Sequence, residues 1–332
     1  MKIKLNSSVF HDPMPYNTIT VDKDKIKFHS FDGAGMGILR AAKMSKEADE
    51  PASFTLSAKD FGFISKLSDF TLEFTDNVIK VSNTRLKAKF ANVIDYPVYT
   101  PTLNDMVDIQ VKLDDLLPGT QFIGSDSTYP QLSGVNIFSD KIVASDRTMF
   151  YTHTTDTGLD NPINVPGEAF KHILDTETMR LQTNGKMLVS KTAGRSFYTV
   201  LIEQKLPDVK MDDEPLLKAK LPRDEMIQAL KLIKEYSKYV TISTNSKGIK
   251  LYAGEQSNEL AIQVNAEIEG EAADLSYDVA RLIKITSLMK EDDVSVIFGA
   301  RMLICDEGMR NNRYVLARYM MPVKKSETKE EK

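Results

Sequence analysis

The chain has 332 residues, of which 42% are hydrophobic and 27% charged, with a formal net charge of −4. That length supports two or three domains with sizeable cores, and the composition is that of an ordinary soluble globular protein. The acidic balance excludes a protein that wraps its whole surface in nucleic acid but permits a local basic face, and the single cysteine, Cys305, excludes an intrachain disulfide framework.

The opening MKIKLNSSVFHDPMPYN leaves little room for a strand plus a full helix, because Pro13 and Pro15 would break one. It also lacks the apolar core of a secretion signal. No apolar run reaches the ~18 residues of a membrane span, so none is expected, and the lone cysteine is consistent with a reducing cytoplasm. Residues 18–31, TITVDKDKIKFHSF, alternate as a hairpin with Asp22-Lys23-Asp24 at its turn. In FDGAGMGIL the glycines fall at 33, 35 and 37. That is neither the dinucleotide spacing nor a P-loop, so a turn or bulge is expected. Residues 54–83 follow as strand, helix opened by Ser57, strand, turn at Thr75-Asp76-Asn77, strand.

After the proline-bearing joint DYPVYTPTLND, the same pattern returns. KLDDLLPGTQFIG is a helix broken at Pro118-Gly119. GVNIFSDKIVASDRTMFYTHT (residues 134–154) is a hairpin turning at Ser139-Asp140-Lys141. In residues 163–192 Pro166 opens a short helix, and Thr183-Asn184-Gly185 makes the next turn. A second joint, LPDVKMDDEPLLKAK, leads to the third copy. There PRDEMIQALKLIKEYSKY (residues 222–239) is the clearest helix, with Met226, Leu230 and Ile233 on one face. VTISTNSKGIKLYAG is a hairpin with its turn at Ser246-Lys247-Gly248. Ser276 opens a helix whose Val279, Ile283 and Thr286 face inward, and Gly299-Ala300-Arg301 makes the last turn. Cys305 is expected to be a small hydrophobe in a strand. The tail from residue 325 to 332 is charged and expected to be disordered.

A period of roughly 110 residues is domain-sized. Three α+β domains in tandem are expected: residues 1–104, 105–212 and 213–324. Repetition without a catalytic cluster points to architecture rather than chemistry. His11, His29, His153 and His172 show no metal spacing. Asp114-Asp115 and Asp212-Asp213-Glu214 are carboxylate clusters in a helix start and a polar joint, the groups that a phosphate-ester enzyme would have to use.

Cations recur on the helices: Lys59 and Lys66 in the first copy, Lys171 in the second, and Arg223, Lys231, Lys234, Lys238, Arg281 and Lys284 in the third. A solvated face accounts for any one helix alone. Recurrence across the copies favours one basic side that meets a phosphate backbone without reading sequence.

The segments YPQLSGVNIF, KIVASDRTMF, VLIEQKLPDVKM and RYVLARYMMPVK, set in this threefold pattern, resemble the DNA sliding clamps. The resemblance is to the three-domain DNA polymerase III beta subunit, in a phage-like form, and spans nearly the whole chain. The third copy is also similar to the last domain of proliferating-cell nuclear antigen. The resemblance implies tandem clamp domains, with sheets outside and short helices facing a central channel. It implies a head-to-tail homodimer around duplex DNA, with no catalysis and no cofactor. It also implies a groove for apolar peptides of a polymerase and a clamp loader, in a bacterial or phage-infected cytoplasm. Carried onto this sequence, the groove falls at Leu132, Ser145, Met149 and Phe150, at Pro207 and Met211, and at Met321, Pro322 and Val323. Arg147 and Met149 depart from the family's glycine and arginine, so a different peptide preference is expected. The alternatives are a two-domain-type trimeric clamp, a non-ring DNA-binding accessory protein, and a metal-dependent phosphate-ester enzyme.

Overall fold

The computed structural model describes residues 2–6, 10, 13–44, 50–75, 77–93, 101–125, 128–173, 180–207, 213–245, 248–255, 258–270 and 274–319. The architecture is α+β and strand-rich. Five α-helices lie among the described residues: α1 (Ala58–Ile64), α2 (Leu113–Leu116), α3 (Phe170–Ile173), α4 (Arg223–Lys234) and α5 (Val279–Leu288). The chain forms two compact units. The first comprises Met1–Leu113, Asn136–Ser139 and Asp156–Lys205; the second comprises Asp114–Val135, Asp140–Thr155 and Leu206–Lys332.

The first unit holds a four-stranded sheet in the order Lys2–Asn6, Asp69–Thr75, Val78–Ser82, Lys87–Ala91. It also holds an eight-stranded sheet in the order Ala52–Ser57, Tyr16–Val21, Lys25–Phe31, Met36–Lys43, Arg195–Val200, Met187–Thr192, Arg180–Thr183, Val107–Asp108. Alternation builds the core. Along Lys25–Phe31, Ile26 and Phe28 turn inward while Lys25 and Lys27 stay in water. Ile26 and Phe28 meet Phe61 and Ile64 of α1 and Phe70, Leu72 and Ile79 of the smaller sheet. Phe10 fills the centre, with ring centroids 4.5 Å from Phe28 and 5.2 Å from Phe61. Each such side chain contributes about 1.5–3 kcal/mol by leaving water. On the other face Phe31, Met187, Val189 and Tyr198 form a second cluster.

The larger sheet spans two copies of the sequence repeat. Met36–Lys43 pairs antiparallel with Arg195–Val200, from Arg195 opposite Arg40 to Thr199 opposite Met36. Gly37 is required there, because a Cβ would overlap the Tyr198 hydroxyl. The glycine-rich segment is a hairpin turn, as its spacing indicates. Asp32 Oδ1 accepts the N–H groups of Ala34, Gly35 and Met36 at 2.8–2.9 Å, and Gly33 and Gly35 take φ of 89° and 134°.

The second unit holds a four-stranded sheet in the order Asn258–Asn265, Gly248–Glu255, Tyr239–Asn245, Leu275–Asp278. A longer run follows the order Lys141–Ser145, Met149–Thr154, Asn312–Ala317, Met302–Glu307, Asp293–Gly299, Pro215–Pro222, Glu267–Gly270. Here too distant segments pair, Met149–Thr154 against Asn312–Ala317. Cys305 is buried in Met302–Glu307. The segment with Pro118-Gly119 is broken as expected, into α2 and a 3₁₀ turn over Pro118–Phe122.

Two expectations for α5 are corrected. Its N-cap is Asp278, whose side chain accepts from Arg281 N, and not Ser276. Ser276 lies in the preceding strand, where its hydroxyl is 3.0 Å from that of Thr241. The buried face is Val279, Leu282, Ile285 and Thr286, with Ile283 only partly covered. In α4, Met226, Leu230 and Ile233 are buried as expected. The turn residues Asp76, Ser246 and Lys247, much of both joints, and residues 320–332 lie outside the described residues.

Candidate functional site

The helix cations divide by environment. In α1 the Ser57 hydroxyl accepts from Asp60 N at 3.1 Å and donates to Asp60 Oδ2 at 2.8 Å, which fixes the first turn. Phe61 and Ile64 then point into the core and Lys59 into water. Lys66 is also exposed but lies past the helix, in the turn where its N–H reaches the Phe63 carbonyl at 3.3 Å. The single turn of α3 buries Phe170 and Ile173 and leaves Lys171 exposed.

In the second unit α4 and α5 pack together. Lys231 and Lys234 are exposed in the last turn of α4, where the helix dipole favours cations. Lys238, expected on the same helix, lies beyond it, because α4 ends at Lys234. Its ammonium instead lies 5.4 Å over the ring of Tyr239, which stacks on Tyr319 with centroids 3.9 Å apart. Arg223 ties the start of α4 to the end of α5, donating to the Met289 carbonyl at 3.1 Å and to Asp224 at 3.0 Å. Arg281 and Lys284 are half-buried, the latter with its ammonium 6.0 Å over the Phe122 ring.

Around residues 145–149 the backbone is tightly organised. Ser145 Oγ donates to the Met149 carbonyl at 2.9 Å and accepts from Arg147 N at 3.1 Å. Asp146 Oδ1 accepts from Thr148 N, Thr148 Oγ1 and Met149 N at 2.7–2.9 Å. These bonds hold Arg147 at φ 82°, a conformation natural to glycine, with its guanidinium stacked 4.5 Å over Tyr129. Leu132 approaches the same loop: a Cβ on Gly124 would touch Leu132 at 3.3 Å and Asp146 at 3.6 Å. Leu132 and Met149 are buried and Phe150 partly so, while Pro207 is exposed. Met149 and Phe150, adjacent in one strand, point to opposite faces, whereas Ser145 and Phe150 are register partners on one face. Met211, Met321, Pro322 and Val323 lie outside the described residues.

A buried polar network in the second unit had no sequence signal beyond Tyr151 and His153 alternating inward. Tyr151 Oη lies 2.9 Å from the Asp115 carbonyl and 3.1 Å from Asn312 Oδ1, sharing its one proton between them, and His153 Nδ1 donates to Asn312 Oδ1 at 2.9 Å. His153 Nε2 lies 3.6 Å from Asp115 Oδ2. Asn312 Nδ2 and Tyr314 Oη donate to Glu307 Oε2 at 2.9 and 3.0 Å, and Glu307 Oε1 accepts from the backbone of Lys290 and Glu291. Burial first, and then Asp115 and Glu307, push the Tyr151 phenol above its ordinary pKa. The network pins α2 and the end of α5 to the strands.

Of the carboxylate clusters, Asp115 and Asp213 have structural partners, and Asp212 lies outside the described residues. Asp115 belongs to this network. Asp213 caps the turn before Met302–Glu307, accepting from Arg301 N at 2.7 Å and Met302 N at 3.1 Å. Burial opposes ionisation there, and the two backbone N–H groups together with the Arg301 guanidinium outweigh it, holding the Asp213 carboxyl below its ordinary pKa. Among the described residues no group of three or more His, Cys, Asp or Glu could hold a metal ion. No helix among them is long and apolar enough to cross a membrane.

The fold over these elements is that of the DNA polymerase sliding clamps. One solved structure that it matches is the DNA polymerase III beta subunit of Thermotoga maritima, with a TM-score of 0.80 at 13% identity over 97% of this chain and 100% of that one. Another is the Caulobacter crescentus pol III beta, with a TM-score of 0.82 at 15% identity over 96% and 100%. A third is the Helicobacter pylori beta clamp bound to a DNA ligase peptide, with a TM-score of 0.79 at 14% identity over 96% and 100%. No family model and no curated protein matches the sequence.

Proposed function

We propose that this chain is a DNA sliding clamp, a ring that encircles duplex DNA and tethers a replicative polymerase as its processivity factor. The observation that carries the reading is the match of nearly the whole chain to beta-subunit clamps, end to end on both sides. It has three clamp domains per subunit, at 1–104, 105–212 and 213–324, and closes as a head-to-tail homodimer in a bacterial or phage-infected cytoplasm. Lys87–Ala91 and Asn258–Asn265 are terminal strands of their sheets, so each has a ladder edge suited to pairing with a second copy. Exposed Lys59, Lys66, Lys171, Lys231, Lys234 and Lys238 meet the phosphate backbone. Leu132, Ser145, Met149, Phe150 and Pro207, with Met211, Met321, Pro322 and Val323, receive apolar peptide anchors of the polymerase and clamp loader. The chain catalyses no reaction.

The deciding experiment measures solution mass and images the particle. A closed annulus at twice the mass of the chain is expected. A monomer forming no ring at any concentration refutes the reading, and a trimer moves it to the two-domain type of clamp.

A further inference from the structure

The turn Thr183-Asn184-Gly185 plays no part in the clamp reading, and it carries the one asparagine–glycine pair of the sequence. Asn184 Oδ1 accepts from Lys186 N at 3.2 Å and from Met187 N at 2.9 Å. Gly185 N donates to Thr183 Oγ1 at 3.0 Å, and the Thr183 hydroxyl donates to the Met187 carbonyl at 2.8 Å. Asn184 Nδ2 donates to the Thr102 carbonyl at 3.4 Å and to the Asn104 carbonyl at 3.3 Å. Gly185 is exposed at φ 80°, with open space where a Cβ would stand, and Asn184 is half-buried, so water reaches the turn.

Each of these contacts bears on one reaction, attack of the Gly185 nitrogen on Asn184 Cγ. Glycine has no side chain to hinder its nitrogen. The N–H groups of Lys186 and Met187 already point at Oδ1, where negative charge develops when a nucleophile adds to Cγ. The bond to Thr183 opposes the reaction, because it holds the Gly185 proton that must leave first. Nδ2, which would depart as ammonia, is also the group that grips residues 102–104. Those residues lead into Val107–Asp108, which pairs with Thr183 and Gln182, and Leu103 and Met106 pack against the cluster of Phe31, Met187, Val189 and Tyr198. The segment from Thr102 to Asp108 is thus a strap along these strands, fastened near its start by one carboxamide.

We propose that Asn184 is a site of spontaneous deamidation, braked by Thr183, and that its conversion unfastens the strap at residues 102–104. The site needs neither DNA nor a partner, so it stands apart from the clamp reading. Gly185 N gives up its proton to solvent base and bonds to Asn184 Cγ. The Cγ–Nδ2 bond breaks, and Nδ2 leaves as ammonia with a proton from solvent. Water then adds to the succinimide and opens it to aspartate or isoaspartate, with no oxidation or reduction. Aspartate keeps Oδ1 on its two N–H groups but puts an acceptor-only oxygen where Nδ2 stood, facing two carbonyl oxygens.

The test incubates the full-length protein at mildly alkaline pH and follows the peptide containing Asn184 by mass, with isoaspartate as the marker of the succinimide. The acid form is expected to accumulate there faster than at any other asparagine. Thr183→Val removes the acceptor of the Gly185 proton and should speed conversion about fivefold, the worth of one net hydrogen bond. Thr183→Ser restores the hydroxyl and should return the rate to that of the unaltered protein. Asn184→Asp stands for the product: hydrogen exchange of the amides in residues 102–108 should quicken about fivefold, while exchange in the four-stranded sheet of the same unit stays as it was. Conversion at Asn184 no faster than at other asparagines overturns the site. Equal rates in Thr183→Val and the unaltered protein, or no rescue by Thr183→Ser, overturn the brake. Unchanged exchange in residues 102–108 of Asn184→Asp overturns the unfastening of the strap.

Discussion

Replacing His29 by glutamine isolates one titration from the rest of the fold. His29 Nε2 lies 2.7 Å from the Tyr198 hydroxyl, reaching over Met36–Lys43, the strand between theirs. Its ring sits between Phe31 and Tyr198, with centroids 6.5 and 5.8 Å away. Burial lowers the imidazole pKa from 6.5 to about 4. The unfolded chain therefore binds a proton at pH values where the folded one does not. The stability contributed by the neutral ring is fully present above pH 6.5 and is lost as pH falls through that value toward about 4. At about 1.4 kcal/mol per tenfold, complete burial would give roughly 3 kcal/mol; the ring is partly exposed, so about 2 kcal/mol is expected. Glutamine can keep a hydrogen bond to Tyr198 but cannot titrate. Urea unfolding followed at several pH values from about 7.5 to 4.5 should show the unaltered protein losing about 2 kcal/mol more than His29→Gln over that range. Parallel pH profiles for the two proteins would refute the reasoning.

Gly37→Ala should destabilise the protein by about 1–3 kcal/mol through overlap with Tyr198, seen as a lowered thermal midpoint. Lys231→Glu/Lys234→Glu should change stability by less than about 1 kcal/mol yet flatten the salt dependence of duplex binding by about 1.8; full binding at every salt would make these lysines a solvated face. Arg147→Gly should leave stability unchanged or raised, since relieving a left-handed residue gains about 1–2 kcal/mol against about 0.5–1 kcal/mol for the lost stack on Tyr129. The same variant should change the ranking of partner peptides in a binding panel, and an unchanged ranking would remove Arg147 from the groove.

The hairpins and the Ser57 cap were legible because each depends on residues adjacent in sequence, an alternating run and its turn chemistry. The start of α5 was misplaced because Ser276 and Asp278 are both good caps two residues apart. Pairing of Ser276 with Thr241 in a strand decides between them, and no local pattern shows that pairing. The α5 core face was misjudged because Leu282, Ile283, Ile285 and Leu288 put apolar residues nearly all round the helix, so periodicity could not choose. Lys238 was placed on a helix because Glu235, Tyr236 and Ser237 include no glycine or proline to mark its end. Leu132, Ser145 and Met149, named from the resemblance, lie around one loop that Ser145 and Asp146 organise. The stacking of Arg147 on Tyr129 was not legible, since it depends on segments that are not adjacent in sequence.

The eight-stranded sheet also sets an order of events during synthesis. His29 and Tyr198, hydrogen-bonded across its centre, are 169 residues apart in the sequence. Met36–Lys43 leaves the ribosome long before Arg195–Val200 exists to cover it. At synthesis rates of about 5–20 residues per second, that strand waits on the order of ten seconds or more as an open edge, a template for pairing with other nascent chains. Arg40 and Lys43 on it act as gatekeepers through that interval, since charge on an edge discourages such pairing. Truncated chains ending before residue 195 should therefore stay soluble more readily with both cations than with neutral residues in their place.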